Sequence, residues 1–322
     1  MEFPIHPTNS NPLPQTVASL REDAILHLKN SKAENTKRAY RSDWQHFSAW
    51  CEEHQLDALP ASPENIVYYI TFLGKTYKSS TIKRKMTALS QRHETAGFAS
   101  PTKHPLVKGV WDGIQREIGI KEESKQPIWL ADLRRLLNTV STDRLLDIRN
   151  RALLLIGWAG AFRRSELVSL NVEHVEFTEE GLIIHLLKSK TDQKSAGQEV
   201  ALPFGSNPIT CPVRSLKKWL DATGIQRGPL FLRMDRHGNV YDRLSAQSVR
   251  LVTKQMCEQA GLDAEKFGAH SLRSGFCSTA AKMGKSEQQI MKQTRHRKSD
   301  SLQRYIKQAE LFEDNAAMGI GL

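Results

Sequence analysis

The chain has 322 residues, with 46 Lys+Arg against 35 Asp+Glu and a formal net charge of +11. At roughly 100–200 residues per domain, this length predicts two domains. The basic excess points to a polyanionic partner, nucleic acid ahead of a membrane surface. The longest near-apolar run, Ala152 to Phe162, falls far short of the roughly 20 residues that span a bilayer. The first residues carry an early acid and no apolar stretch of a secretory signal. Cys51, Cys211, Cys257 and Cys277 are widely separated with no C-x-x-C pair. That spacing suits reduced core thiols in a cytoplasmic protein and excludes a disulfide framework or a zinc site.

Residues 1–15 hold four prolines and few apolar side chains, which predicts a flexible leader. From 16 to 118 the pattern is helical throughout. Tyr40, Trp44, Phe47 and Cys51 recur at helical spacing and share one face, the mark of a core-facing stripe. Ser62-Pro63 predicts an N-cap followed by proline at the first helical position. Further helices are expected at about 80–96, closed by Gly97, and 106–118, closed by Gly119. Between Asn65 and His93 stand six basic residues, Lys75, Lys78, Lys83, Arg84, Lys85 and Arg92, and no acid. A merely solvated face mixes signs, so this stretch predicts a DNA-backbone surface. Thr81 and Thr87 join it as hydroxyl donors to phosphate or base edges.

Residues 119–128 are polar, lack an apolar period and include a proline, which predicts a linker. The domain after it, 129–322, opens with helices at about 130–140 and 144–159. The one clear β signal follows: the apolar run at 182–187 and the alternating run at 199–202, joined by a basic hairpin, KSKTDQKSAG. Helices are expected from about 213 to the end. The fold class is therefore mainly α with a small antiparallel β-sheet.

Four stretches of the second domain carry the chemistry. They are Gly160-Ala161-Phe162-Arg163-Arg164-Ser165-Glu166, Lys188-Ser189-Lys190-Thr191, His270-Ser271-Leu272-Arg273-Ser274-Gly275, and Arg295-His296 with Tyr305 nine residues beyond. Each alone has an ordinary explanation as a surface ion pair or a packing group. Together they hold the parts for phosphoryl transfer without a metal. Guanidinium groups, always charged and forked, stabilise the negative charge of a pentavalent phosphorane-like state. A phenol with a pKa of about 10 is a better nucleophile and leaving group than a sugar hydroxyl. A lysine on a hairpin is suited to protonating the departing oxygen, and histidines to moving the proton of the nucleophile. No phosphate-binding Walker loop or acidic metal cluster of convincing spacing accompanies them.

The order Arg163…Lys190…His270-x-x-Arg273…His296…Tyr305, with Glu166 three residues after the first arginine, resembles the tyrosine recombinase (phage integrase) family. It is similar to the simple two-domain, Cre/Xer-like type without an arm-binding domain, since the leader is too short for one. The resemblance covers nearly the whole chain. It implies a helical, SAM-like core-binding domain at 16–118 and a mixed α/β catalytic domain, closing as a C-shaped clamp on DNA. It implies that Arg163 and Arg273 clamp the scissile phosphate, that Lys190 is the general acid for the 5′-hydroxyl, and that His270 is an acid/base beside the nucleophile. It further implies that His296 hydrogen-bonds the phosphate, that Tyr305 forms a 3′-phosphotyrosyl link, and that Glu166 supports the first arginine. Lys188 and Lys194 flank Lys190 in the hairpin. Arg295 stands where the family usually has glycine, and an added phosphate contact is expected of it.

The resemblance also implies partners: double-stranded DNA with short inverted-repeat core sites, and three further copies of the chain in a synaptic tetramer that passes through a Holliday junction. A C-terminal helix at about 309–317 is expected to dock in trans. No metal, ATP or other cofactor and no membrane is expected, and the protein is placed in the cytoplasm on the nucleoid. Two other readings are a type IB topoisomerase-like or telomere-resolving enzyme, and a non-catalytic regulator using a helix-turn-helix at 284–294. The second has no need of Tyr305 or of paired arginines at these spacings.

Overall fold

A computed structural model of the chain describes residues 15–30, 32–119, 125–186, 197–296 and 299–309. Contacts divide the chain into two compact units, Met1–Glu123 and Ser124–Leu322.

The first unit is built from five helices: α1 (Gln15–Asn30), α2 (Glu34–Glu53), α3 (Pro63–Gly74), α4 (Ser79–Thr95) and α5 (Pro105–Ile118). Ile66, Tyr69, Ile70 and Leu73 follow the i, i+3, i+4, i+7 stripe of α3 and are fully buried against Phe47 and Cys51 of α2 and Ile82 and Leu89 of α4. Each such side chain contributes about 1.5–3 kcal/mol relative to exposure. Ser62 caps α3, its Oγ accepting from Asn65 N–H at 3.2 Å, with Pro63 in the first turn. Buried His93 donates from Nδ1 to Leu89 O (2.8 Å), which leaves Nε2 to accept from Ala61 N–H (2.9 Å).

The second unit contains α6 (Leu130–Asn138), α7 (Leu145–Ala159), α8 (Arg164–Ser169), β1 (Val175–Phe177), β2 (Gly181–Leu186), β3 (Gln198–Pro203), α9 (Pro212–Thr223), β4 (Leu232–Met234), β5 (Val240–Arg243), α10 (Ala246–Gln259), α11 (Ala269–Lys282), α12 (Glu287–Thr294) and α13 (Asp300–Ala309). Strands β1, β2 and β3 form an antiparallel sheet in that order, and β4 pairs with β5 in a second one. The sequence reading anticipated only the β2–β3 pair and helices beyond 213. Strand β1 is three residues long, too short to show a period. The β4–β5 hairpin is dominated by charged and polar side chains and is held by its turn, where the Asp235 carboxylate accepts from His237 N–H, Asn239 N–H, the Asn239 amide and the Tyr241 hydroxyl.

Residues 125–128 belong to the second unit rather than to a linker running through 128. Ile128 is fully buried. Gln126 N–H donates to Lys266 O (2.7 Å), and Ile128 N–H donates to Ser271 O (2.9 Å). Gly275 makes this approach possible, because a Cβ there would stand 1.9 Å from Ile128 O. Helix α11, which carries His270 and Arg273, is thereby pinned against the 125–128 backbone. All four cysteines are free and buried. Among the described residues no helix is long and apolar enough to cross a membrane.

Candidate active site

Helix α7 ends at Gly160, and the chain turns through Ala161, at φ +44°, into α8, whose N-cap is Arg163. Glu166 sits at the third helical position and binds back on the cap. Its Oε2 accepts from Arg163 N–H (3.0 Å) and its Oε1 from Arg163 Nη1 (2.5 Å). A carboxylate in the first turn also suits the positive end of the helix. Burial pushes the Glu166 carboxyl upward, but the Arg163 backbone N–H and the Arg295 and Arg163 guanidiniums outweigh it, so the group lies below the usual carboxylate range. Arg164, next in the chain, points outward and is exposed.

Arg273 enters from α11. It is buried, and its Nη1 donates to Ala161 O at 2.6 Å, while Nη2 is buried with no hydrogen-bond partner. Burial, then the charges of Arg163 and Arg295, pulls its pKa down to about 10, so it stays charged at neutral pH. A desolvated guanidinium with a free donor, crowded by two others and faced by one carboxylate, is unsatisfied as it stands. An anion supplies both the missing acceptor and the missing charge.

Tyr305 lies on α13 beside α11. Its hydroxyl is 3.1 Å from His270 Nε2, and its ring packs against the buried cluster that includes Cys277 and Leu302. Burial raises the phenol pKa, with a further push from Cys277, while Arg273 and Arg304 pull the other way. Lys125, Gln126, Pro127, Ser274 and Arg304 complete the pocket around the His270–Tyr305 pair.

His296 follows α12. Its Nδ1 is 2.7 Å from Thr294 Oγ1, and that hydroxyl donates its only proton to Ile290 O, also at 2.7 Å. The Thr294 oxygen must therefore accept from His296 Nδ1–H, which leaves the Nε2 lone pair free in the neutral ring. Burial, and then Arg273, Arg163, His270 and Arg295, pushes the imidazole pKa down to about 4.

The profile of the Phage integrase family matches residues 128–311, and that of the Phage integrase, N-terminal SAM-like domain matches residues 24–96. The chain belongs to the phage integrase family. It is 42% identical to an integrase/recombinase XerD homolog of Selenomonas ruminantium over 297 residues, covering 91% of this chain and 87% of the relative. It is 25% identical to the Cre recombinase of Escherichia phage P1, covering 87% and 86%. Among solved structures, the Tn1549 transposon integrase in complex with transposon right-end DNA shares the fold with a TM-score of 0.63 at 14% identity, covering 92% of this chain and 98% of that one.

In this integrase-family chain, Arg163, Glu166, His270, Arg273, His296 and Tyr305 thus come together, the three basic groups His270, Arg273 and Arg163 all bearing on His296. Lys190, with Lys188 and Lys194, lies outside the described residues, as does the C-terminal helix expected at about 309–317 beyond Ala309. Arg295 departs from expectation. It is only 6% exposed, with Nη1 and Nη2 both bonded to protein oxygens and Nε buried without a partner, so it is enclosed in the protein rather than presented as a surface phosphate contact. Three participants escaped the sequence reading: Thr294, which sets the His296 tautomer; the Ala161 carbonyl, which holds Arg273; and Cys277, which packs against Tyr305. A backbone carbonyl at an unusual φ leaves no trace in a residue pattern, whereas Thr294 stands two residues before His296.

In the first unit, Lys75, Lys78, Lys83, Arg84, Thr87 and Arg92 are exposed and Thr81 is half-buried. Lys83, Arg84 and Thr87 share one face of α4. Arg92 lies over the Trp44 ring, 5.5 Å from its centroid. Lys85 contradicts its assignment to the DNA surface. It is 5% exposed, with Nζ 3.5 Å from Asp43 Oδ1, while Arg84 Nη1 reaches Asp43 Oδ2 at 3.1 Å. Its place on the inner face of α4, one residue past Arg84, puts it opposite a buried acid. Among the described residues no cluster of three His, Cys, Asp or Glu is arranged to hold a metal.

Proposed function

We propose that this chain is a site-specific DNA recombinase that cleaves and rejoins DNA through a 3′-phosphotyrosyl intermediate, for integration, excision or resolution. The observation that carries the reading is the Tyr305–His270 hydrogen bond set beside the unpartnered guanidinium donor of Arg273. In this reading the phenolic oxygen attacks the scissile phosphorus and passes its proton to His270 Nε2. The P–O5′ bond breaks, and Lys190 gives the leaving oxygen its proton. Arg163 and Arg273 hold the non-bridging oxygens as charge builds on them. Religation runs the same steps backwards with a 5′-hydroxyl from another strand. Because the phosphotyrosine keeps the phosphodiester's free energy, no ATP is consumed.

The partner is duplex DNA with short inverted-repeat sites. The exposed basic face of α4 contributes phosphate contacts. Four protomers exchange strands in turn through a Holliday junction, each docking its C-terminal segment on a neighbour. The bound DNA named for the transposon integrase and the recombinase names of the relatives support this reading. The test is SDS-resistant trapping on a nicked duplex pool randomised around a spacer, with wild type and Tyr305→Phe. Tyr305-dependent adducts are expected and reveal the core site; an adduct that survives in Tyr305→Phe, or none in wild type, overturns the reading.

A further inference from the structure

Arg295 occupies the C-cap of α12 with φ +59° and ψ +38°, a left-handed conformation that glycine adopts without strain and a long side chain does not. What the side chain does there is visible in its partners. Nη1 donates to Gly160 O (3.0 Å) and Gln293 O (2.8 Å), and Nη2 to Ala161 O (3.2 Å) and Glu166 Oε2 (3.2 Å). Its guanidinium carbon lies 4.8 Å from the Phe162 ring centroid. One buried fork therefore grips the whole turn from Gly160 to Glu166. Two of its acceptors are shared: Ala161 O also holds Arg273, and Glu166 Oε2 also receives Arg163 N–H. Ala161 itself has a positive φ, so two strained residues face each other across these bonds. Such conformations persist where surrounding contacts over-determine them.

We infer that Arg295 is a positioning residue: its guanidinium ties the segment leading to His296 and Tyr305 onto the 160–166 turn and so sets the reach of Arg163 and Arg273. It acts through Ala161 O and Glu166, because its own guanidinium is enclosed. The inference rests on the recombinase reading only for its kinetic readout.

Arg295→Gly is the informative variant, since glycine relieves the backbone while deleting the strut. Single-turnover adduct formation is measured on the randomised nicked-duplex pool at saturating protein, with affinity for the same pool and thermal melting alongside. Arg295→Gly is expected to bind the pool as wild type does and to lose about 10²-fold in adduct rate, the scale of an ångström-level misplacement. Arg295→Lys, which keeps charge but not the fork, recovers only part, and guanidinium ion at non-denaturing concentration rescues the glycine variant. In a Glu166→Gln background the Arg295→Gly loss shrinks, as for residues acting through one carboxylate. A wild-type rate in Arg295→Gly, a loss matched by lost binding or folding, or full additivity with Glu166→Gln overturns the inference. Amide exchange at Arg163 N–H decides it without activity: faster exchange in Arg295→Gly supports the strut, and unchanged exchange overturns it. If wild type forms no adduct, the recombinase reading falls, and the exchange result still stands.

Discussion

Nε2 of His270 and the phenolic oxygen of Tyr305 are 3.1 Å apart although 35 residues separate them in the chain. The bond forms because α13 packs on α11 over Cys277 and Leu302. Since burial raises the Tyr305 pKa, little phenolate exists at neutral pH and the attack needs a base at hydrogen-bond distance. His270→Gln keeps a polar group near the hydroxyl and removes the basicity. Its adduct rate should fall by about 10²–10⁴-fold with DNA affinity unchanged, whereas Tyr305→Phe should form no adduct. Quench-flow trapping on one core site separates the two, and a His270→Gln rate near wild type would move the base elsewhere.

Arg273 sets function against stability. In the free protein its guanidinium is desolvated, crowded by Arg163 and Arg295, and short of one acceptor. Replacing a buried charge by an apolar side chain of similar length is often neutral or stabilising. Arg273→Met should therefore melt at or above wild type while losing at least about 10²-fold in cleavage. Differential scanning calorimetry checks the first half. A destabilisation beyond about 2 kcal/mol would mean that the Ala161 O bond outweighs the cost of burial.

On α4, neighbouring cations should behave oppositely. Lys83 is exposed and Lys85 is enclosed with Asp43. Lys83→Ala should lower the salt dependence of DNA binding by about one counterion and leave stability alone. Asp43→Ala strands Lys85 as an uncompensated buried charge and should cost about 3 kcal/mol, while Asp43→Leu with Lys85→Met together should be near neutral. Urea denaturation and a salt titration of binding measure these effects; a salt slope changed by Lys85→Met in a fully folded protein would return Lys85 to the interface.

The contrast between Lys83 and Lys85 shows where reading a sequence stops. Helical stripes such as Ile66, Tyr69, Ile70 and Leu73, and the Ser62-Pro63 start, were legible because they follow from local geometry and one apolar face. The three-residue step from Arg163 to Glu166 and from His270 to Arg273 was legible for the same reason: residues so spaced on a helix are neighbours. Burial of a cation is a tertiary event. Lys85 turns inward because Asp43 waits on another helix, and Arg295 because three backbone or carboxylate oxygens converge on it from 129–135 residues away. Composition marks both as surface residues. Strands β4 and β5 were missed because their pairing is fixed by the Asp235 turn rather than by an apolar alternation.

His296 should give the protein a pH-dependent stability. Its pKa is about 4 in the folded chain against an ordinary value of 6.5, so on acidification the unfolded chain binds the proton first. The stability associated with the neutral, Thr294-bonded ring is complete above about pH 6.5, declines as pH falls from there, and is lost on passing through about 4. The ring is only half-buried, so the contribution is about 1–2 kcal/mol after solvent screening. Denaturant titrations at several pH values should show this slope in wild type and a flatter one in His296→Gln, which cannot take up the proton. Thr294→Val removes the acceptor of Nδ1–H but neither the burial nor the cations that depress the pKa, so it should keep the wild-type slope or steepen it. An unchanged slope in His296→Gln would assign the acid sensitivity to carboxylates, Glu166 first among them, whose folded pKa is also lowered.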